Sequence, residues 1–149
     1  MSYLTSKFDV LRGVEGKEGS STVVWDFVQA TGASPDIQKG TIVSIVNASS
    51  PTSVNRHTSA LLTGNNYDHP WLVIRGKESS ESQFVNKLTC AKLRTGIKFK
   101  IATDLTPTVE DLLWANAGVL TNIDPGSGKP HLGKVIGFDA DNGLMIVES

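Results

Sequence analysis

The chain has 149 residues, of which 39% are hydrophobic and 19% are charged, and its formal net charge is −1. This length suits one domain, and a near-neutral balance without clustered Lys and Arg argues against binding to nucleic acid or to an anionic membrane surface. The single cysteine, Cys90, excludes an intrachain disulfide framework. No apolar run approaches the ~20 residues of a membrane span, and the start lacks a signal-peptide pattern, so we expect synthesis in the cytoplasm.

Residues 1–21 predict an extended N-terminal arm. Glycines alternate with charged residues between positions 13 and 19, a pattern typical of an extended or mobile segment. The arm carries three apolar residues that could contact a neighbouring subunit: Tyr3, Leu4 and Phe8. The alternative interpretation is a flexible terminus that contacts no neighbouring subunit.

Residues 22–149 predict a β domain, because apolar side chains repeatedly alternate with polar ones at the period of a strand. The predicted strands cover residues 22–28, 40–47, 70–75, 87–93, 97–101, 118–120, 135–138 and 144–147. The expected fold class is mainly β: a single small antiparallel β-barrel or sandwich-like domain with one short helix and the N-terminal arm.

Two hairpins are predicted. Leu93 and Ile97 flank a short Gly-containing loop, which favours pairing of the strands on either side. Near the end of the sequence, two apolar runs flank Asn142-Gly143, a pair of residues that tolerates positive φ. We expect this second hairpin to complete a larger sheet, because an isolated hairpin is marginal in water.

Residues 106–115 predict the one helix. Thr106 can cap it, Pro107 suits the first turn, and Glu110 and Asp111 lie near the positive end of the helix dipole. A helix this short is expected to act as a connector.

Residues 48–69 have the least pattern of any interior stretch. Ser, Thr and Asn dominate it, with Val54, Leu61 and Leu62 isolated among them. A loop of this length is either functional or mobile, and we hypothesise that it supplies a second contact with a partner.

The motifs of reactive sites fail on spacing. Residues 126–129 resemble a phosphate loop but lack its first Gly and its Ser or Thr, and residues 139–143 resemble a calcium loop but lack its distal Glu. Cys90 lies in an alternating strand, where a buried core thiol is expected. We therefore predict no catalytic residue, no metal and no cofactor. An alternative is a hydrolase or small-ligand-binding barrel assembled by tertiary contact, for which the least implausible residues are Asp68, His69 and His131.

Three segments are informative together: residues 37–46, Ile97-Lys-Phe-Lys-Ile101, and the closing stretch 132–147 with its Gly-Lys-Val-Ile-Gly strand, turn and short apolar strand. They resemble small β-barrel proteins of tailed-bacteriophage virions, particularly capsid decoration (cement) proteins. The resemblance implies a non-enzymatic structural protein that binds the outside of a phage capsid and stabilises the shell. Its expected partners are the major capsid protein and further copies of itself, with a trimer favoured, and its expected location is the virion. A tail-tube, tail-completion or baseplate protein is the alternative within the same class.

Overall fold

A computed structural model describes residues 8–14, 23–30, 36–46, 49–59, 69–76, 87–94, 96–126, 128 and 130–149. Within these residues the chain forms eleven strands. They are β1 (Asp9–Arg12), β2 (Val24–Gln29), β3 (Ile42–Ile45), β4 (Ser53–Arg56), β5 (Trp71–Arg75), β6 (Lys87–Lys92), β7 (Lys98–Ala102), β8 (Leu112–Asn116), β9 (Val119–Thr121), β10 (Gly133–Asp139) and β11 (Leu144–Glu148). The prediction of a mainly β fold is confirmed.

The strands form two sheets. Five of them, in the order β2-β4-β3-β5-β6, close into a small barrel, because β6 pairs with β2. The other six form a sheet in the order β1-β7-β11-β10-β8-β9. All the pairs are antiparallel except β2 and β4, which run parallel. The barrel is thus one of two sheets in the molecule.

Three barrel strands are buried on both faces, and this joins the two sheets. Side chains alternate across a strand, so Leu72 of β5 contributes to the core shared with the six-stranded sheet while Val73 points into the barrel. Ile42 and Val43 of β3 divide in the same way, as do Ala91 and Cys90 of β6. The barrel interior also contains Phe27 and Trp71, whose ring centroids lie 4.8 Å apart in an edge-to-face arrangement.

The hairpin of β8 and β9 forms a second junction between the sheets. Its two-residue turn consists of Ala117 and Gly118, with φ values of 49° and 82°. Gly118 inserts beside the barrel, where its carbonyl accepts from Ile42 N at 2.9 Å and its amide donates to His57 O at 2.9 Å. The amide of Ala115 donates to the buried Ser59 Oγ at 2.9 Å. These hydrogen bonds join the β8–β9 end of the six-stranded sheet to the barrel.

The terminal hairpin is confirmed as β10 and β11. Asp139 pairs with Leu144, and Gly143 adopts a φ of 62° in the loop between them. The carboxylate of Asp139 accepts from the Asn142 side-chain amide at 2.7 Å and from Asp141 N at 3.1 Å. These bonds give the acidic tip a role in forming the turn.

The predicted helix at residues 106–115 is wrong. Glu110 has a φ of 85°, which a right-handed helix does not allow. Its amide donates to Val135 O at 2.8 Å, and Val135 N donates to Asp111 O at 2.9 Å, so this segment pairs with β10. The residues that suggested a helix start instead form a turn, in which Thr108 N donates to Asp111 Oδ2. Long-range sheet pairing replaces a helix too short to be stable by itself.

The predicted hairpin around residues 93–97 is also wrong. β6 pairs with β2 and β5 in the barrel, whereas β7 pairs with β1 and β11 in the other sheet. The segment between β6 and β7 therefore crosses from the barrel to the other sheet. Two hydrogen bonds extend the pairing of β7 with β11 into this segment: Gly96 N donates to Ser149 O, and Ser149 N donates to Ile97 O at 2.8 Å.

Part of the predicted arm is a strand. β1 pairs with β7, and Phe8, Val10 and Val14 are buried in the core of the six-stranded sheet. Residues 1–7 and 15–22 lie outside the described residues, so the extended form predicted for them stays a prediction. Within the segment 48–69, which looked unpatterned, β4 pairs with β2 and β3.

Candidate ligand-binding cleft between the two sheets

A cleft of about 590 Å³ lies where the ends of strands from both sheets meet. Its barrel side consists of the residues before β5 and after β6, and its other side consists of the starts of β8 and β10 and the end of β11. The lining residues are 69–70, 93–94, 112, 130–134 and 148–149. Two of the three histidines in the chain are among them.

Strand pairing explains why these residues meet. β5 and β6 are antiparallel neighbours with Trp71 opposite Lys92, so the residues before Trp71 lie beside those after Lys92. Leu93 N donates to Pro70 O at 3.2 Å and extends this pairing by one residue. On the other side, Lys134 lies opposite Glu148 in the terminal hairpin. The cleft walls are therefore continuations of hydrogen-bonded strands.

His69 is held by the barrel side of the cleft. Its Nε2 lies 2.9 Å from Leu93 O, and because a carbonyl only accepts, Nε2 carries the proton. Burial lowers the pKa of His69, and the positive charge of Lys92 lowers it further, against the opposing effect of the Leu93 hydrogen bond. At neutral pH the ring is neutral, and its Nδ1 is an acceptor of hydrogen bonds or protons.

The charged side chains of the cleft are Arg94, Lys134 and Glu148. Lys134 Nζ lies 3.4 Å from Glu110 Oε2 in an exposed ion pair, and such pairs contribute little free energy because water screens them. The hydroxyl of Ser149 donates to the carbonyl oxygens of Arg94 and Ile97. The side chains of Arg94 and Lys134 thus bring two positive charges to the cleft. The backbone of Arg94 is held by the Ser149 hydroxyl, and that of Lys134 by pairing in the terminal hairpin.

Sequence reasoning named His69 and His131, and the structure brings both to this one cleft. Asp68, named with them, lies outside the described residues. Arg94, Lys134 and Glu148 were missed because no motif connects residues from two different sheets. The pairing of Lys134 with Glu148 could have been derived from the register of the predicted terminal hairpin.

The residues predicted to contact a partner have other positions. Phe8 packs in the core of the six-stranded sheet, with its ring centroid 6.1 Å from that of Phe99, and Val54 is fully buried in the barrel. Their side chains contribute to the folded core and are not exposed to a partner, which corrects that assignment. Tyr3, Leu4, Leu61 and Leu62 lie outside the described residues.

A different apolar surface is exposed, on and beside β2. Trp25 is 57% exposed and Val28 is 44% exposed, and Val23 and Val24 are also exposed. Trp25 lies on the same face of β2 as the buried Phe27, because side chains alternate along a strand, so this face is exposed at one end and buried at the other. By the same alternation, Val23 and Trp25 project from one face and Val24 and Val28 from the other; we call these four exposed residues the β2 patch.

In the described part of the chain, no three His, Cys, Asp or Glu side chains lie close enough together to hold a metal ion. No helix in those residues has the length and apolarity to cross a membrane. Cys90 is buried in the barrel, as predicted, and burial raises the pKa of its thiol to about 12 with a further contribution from Asp26.

Comparison with known proteins gives no relative: no protein-family model, no curated protein and no solved structure matches the chain. The resemblance to phage virion proteins therefore depends on the segments quoted for it, residues 37–46, 97–101 and 132–147. Of these segments, the last is the confirmed terminal hairpin, and residues 98–101 lie in β7 beside β11.

Proposed function

We propose that the protein is a non-enzymatic structural protein of a tailed-bacteriophage virion, which binds the outer surface of the capsid and stabilises the shell. The observation that carries this proposal is the β2 patch. A decoration protein acts through contact area repeated over many symmetric copies, so it requires an exposed apolar surface on a rigid support.

The surroundings of the patch support binding through side chains. β2 pairs with β6 from Val24 to Val28 and with β4 only at Val28 and Gln29, so the backbone of Trp25 is paired with β6. Exposed apolar patches on folded domains mark interaction surfaces, and Trp is among the residues that contribute most to binding free energy. The partner that we propose is the major capsid protein, with homotrimers of this chain on the shell.

A substitution in the patch tests the proposal. Trp25→Ser should reduce binding to shells assembled from the cognate major capsid protein by about tenfold or more, because loss of a central Trp removes ~2 kcal/mol or more of binding free energy. Binding is measured by co-sedimentation with the shells. The matched control is Ile123→Ser, since Ile123 is even more exposed, at 72%, but lies beyond β9 in the other sheet.

The same experiment decides against the proposal if wild-type protein does not sediment with shells, or if the two substitutions weaken binding equally. Negative-stain images of the purified protein address the alternative virion roles. Rings or tubes would indicate a tail component, whereas compact trimers support decoration.

A further inference from the structure

We infer that the cleft between the two sheets binds a small amphipathic anion, with an apolar body and a carboxylate or phosphate head. None of the residues that line this cleft belongs to the β2 patch, so ligand binding here is a function beyond the proposed role on the capsid. At about 590 Å³, the cleft lies within the range of ~300–1,000 Å³ typical of small-molecule sites.

Leucines and prolines form the apolar wall. Leu93 is buried, Leu132 is partly buried against the neighbouring core, and Leu112 remains 39% exposed to solvent in the cleft. Pro70 and Pro130 have no amide hydrogen to solvate, so they extend the same surface. A ligand with an apolar body would cover Leu112 and remove that area from water, which favours binding.

The charges favour a negative head group. Arg94 is permanently charged and presents several N–H donors in a planar fork that suits carboxylate and phosphate. Lys134, from the opposite sheet, adds a second positive charge whose pairing with Glu110 is exposed and weak. Glu148 is the one acidic side chain among the lining residues. His69 is neutral and adds no charge, whereas the ring of His131 offers at least one N–H donor in either protonation state.

Hydrogen bonds hold the walls of the cleft in place. The His69 ring is hydrogen-bonded to Leu93 O, Leu132 N donates to Leu113 O at 2.7 Å, and Ser149 N donates to Ile97 O. Ligand binding therefore requires little ordering of the backbone, which limits the entropic cost.

Four probes of equal chain length separate charge from apolar contact: hexanoate, hexyl phosphate, hexanol and hexylammonium. Titrations followed by backbone amide chemical shifts should show one or both anions binding at millimolar concentration or below, with shifts at Leu93, Leu112 and Leu132. Hexanol and hexylammonium should bind about tenfold more weakly or not at all, since a hydrogen bond to a charged group contributes ~1.5–3 kcal/mol. The tighter of the two anions identifies the head group as carboxylate or phosphate.

Variants locate the site. Arg94→Gln and Lys134→Gln should each weaken anion binding about tenfold and leave the affinity for hexanol unchanged. Lys87→Gln is the matched control, because Lys87 lies at the opposite end of β6 from Arg94. The two cleft residues come from different sheets, so either variant suffices if the other does not fold. The inference is overturned if neither anion binds, if hexanol or hexylammonium binds as tightly, or if both cleft variants bind like Lys87→Gln.

Discussion

Gly118 and Gly126 have nearly the same backbone conformation, with φ values of 82° and 81°, but very different surroundings. A Cβ atom on Gly118 would lie 2.6 Å from Thr41 Cγ2 and 3.1 Å from Ile42 O, whereas a Cβ on Gly126 would meet nothing within 4 Å. The requirement for glycine at position 118 thus has two causes, a positive φ and close approach to the barrel. At position 126 only the first cause applies.

This difference can be measured directly. Gly126→Ala should lower the free energy of unfolding by about 1 kcal/mol, the cost of a left-handed conformation for alanine. Gly118→Ala should lower it by about 3 kcal/mol or more, because steric overlap with β3 adds to that cost. Urea unfolding of both variants gives the comparison. Equal losses would mean that the β8–β9 turn does not contact the barrel as described.

His69 gives a pH-dependent contribution to stability. Its folded pKa lies below the ordinary 6.5, so between these two values the unfolded chain binds more protons than the folded one. Stability contributed by His69 is therefore complete above about pH 6.5 and decreases as the pH falls towards the folded pKa. Relative to His69→Gln, the wild type should lose unfolding free energy as the pH is lowered from 7 to 5. A wild type that gains stability relative to the variant over this interval would contradict the described burial.

At the scale of elements, local patterns predicted strands well where the partner strand did not matter. In β7, Phe99 and Ile101 alternate with outward lysines and are buried, as expected from the sequence. The helix at residues 106–115 was predicted from the same kind of local signal and is wrong, because Glu110 and Asp111 pair with β10. A pairing partner 24 or more residues away is invisible to a local pattern. β4 was missed because Val54 is the only apolar residue in this strand, so it shows no alternation.

One buried hydroxyl, that of Ser59, contributes to the junction of β8 with the residues after β4. Ser59→Ala should cost about 1–3 kcal/mol of unfolding free energy, because it leaves the amide of Ala115 buried without its acceptor. Thr58→Ala is the matched control. It removes an equivalent bond to Ala117 N at the same 2.9 Å, but in an exposed position where water can replace it, so the loss should stay within about 0.5 kcal/mol. Similar losses in the two variants, measured by urea unfolding, would argue against a buried Ser59.

At the scale of the whole molecule, the core inside the barrel and the core between the sheets lie on opposite faces of the same three strands. β3, β5 and β6 contribute one face to each core. Because neither core can lose these strands without disrupting the other, we expect the molecule to unfold as one cooperative unit.

Two matched substitutions test this coupling. Leu72 lies in the core between the sheets and Leu88 lies in the barrel, and both are fully buried. Leu72→Ala and Leu88→Ala should each lower the free energy of unfolding by about 2–5 kcal/mol. In both variants, fluorescence and far-UV circular dichroism should report a single coincident transition. A barrel that melts separately in Leu88→Ala, leaving the other sheet intact, would show that the cores are independent.

The sequence by itself determined the mainly β class, most of the strands, the buried thiol of Cys90 and the terminal hairpin around Asn142-Gly143. These features depend on side-chain alternation and turn chemistry within a few residues, which local sequence encodes. Only the tertiary structure decided the division into two sheets, the barrel closure between β2 and β6, the exposure of Trp25 and the placement of His69 and His131 in one cleft. Each of these depends on which distant strands pair, and that choice is made by the burial of whole sheet faces against each other rather than by any short segment.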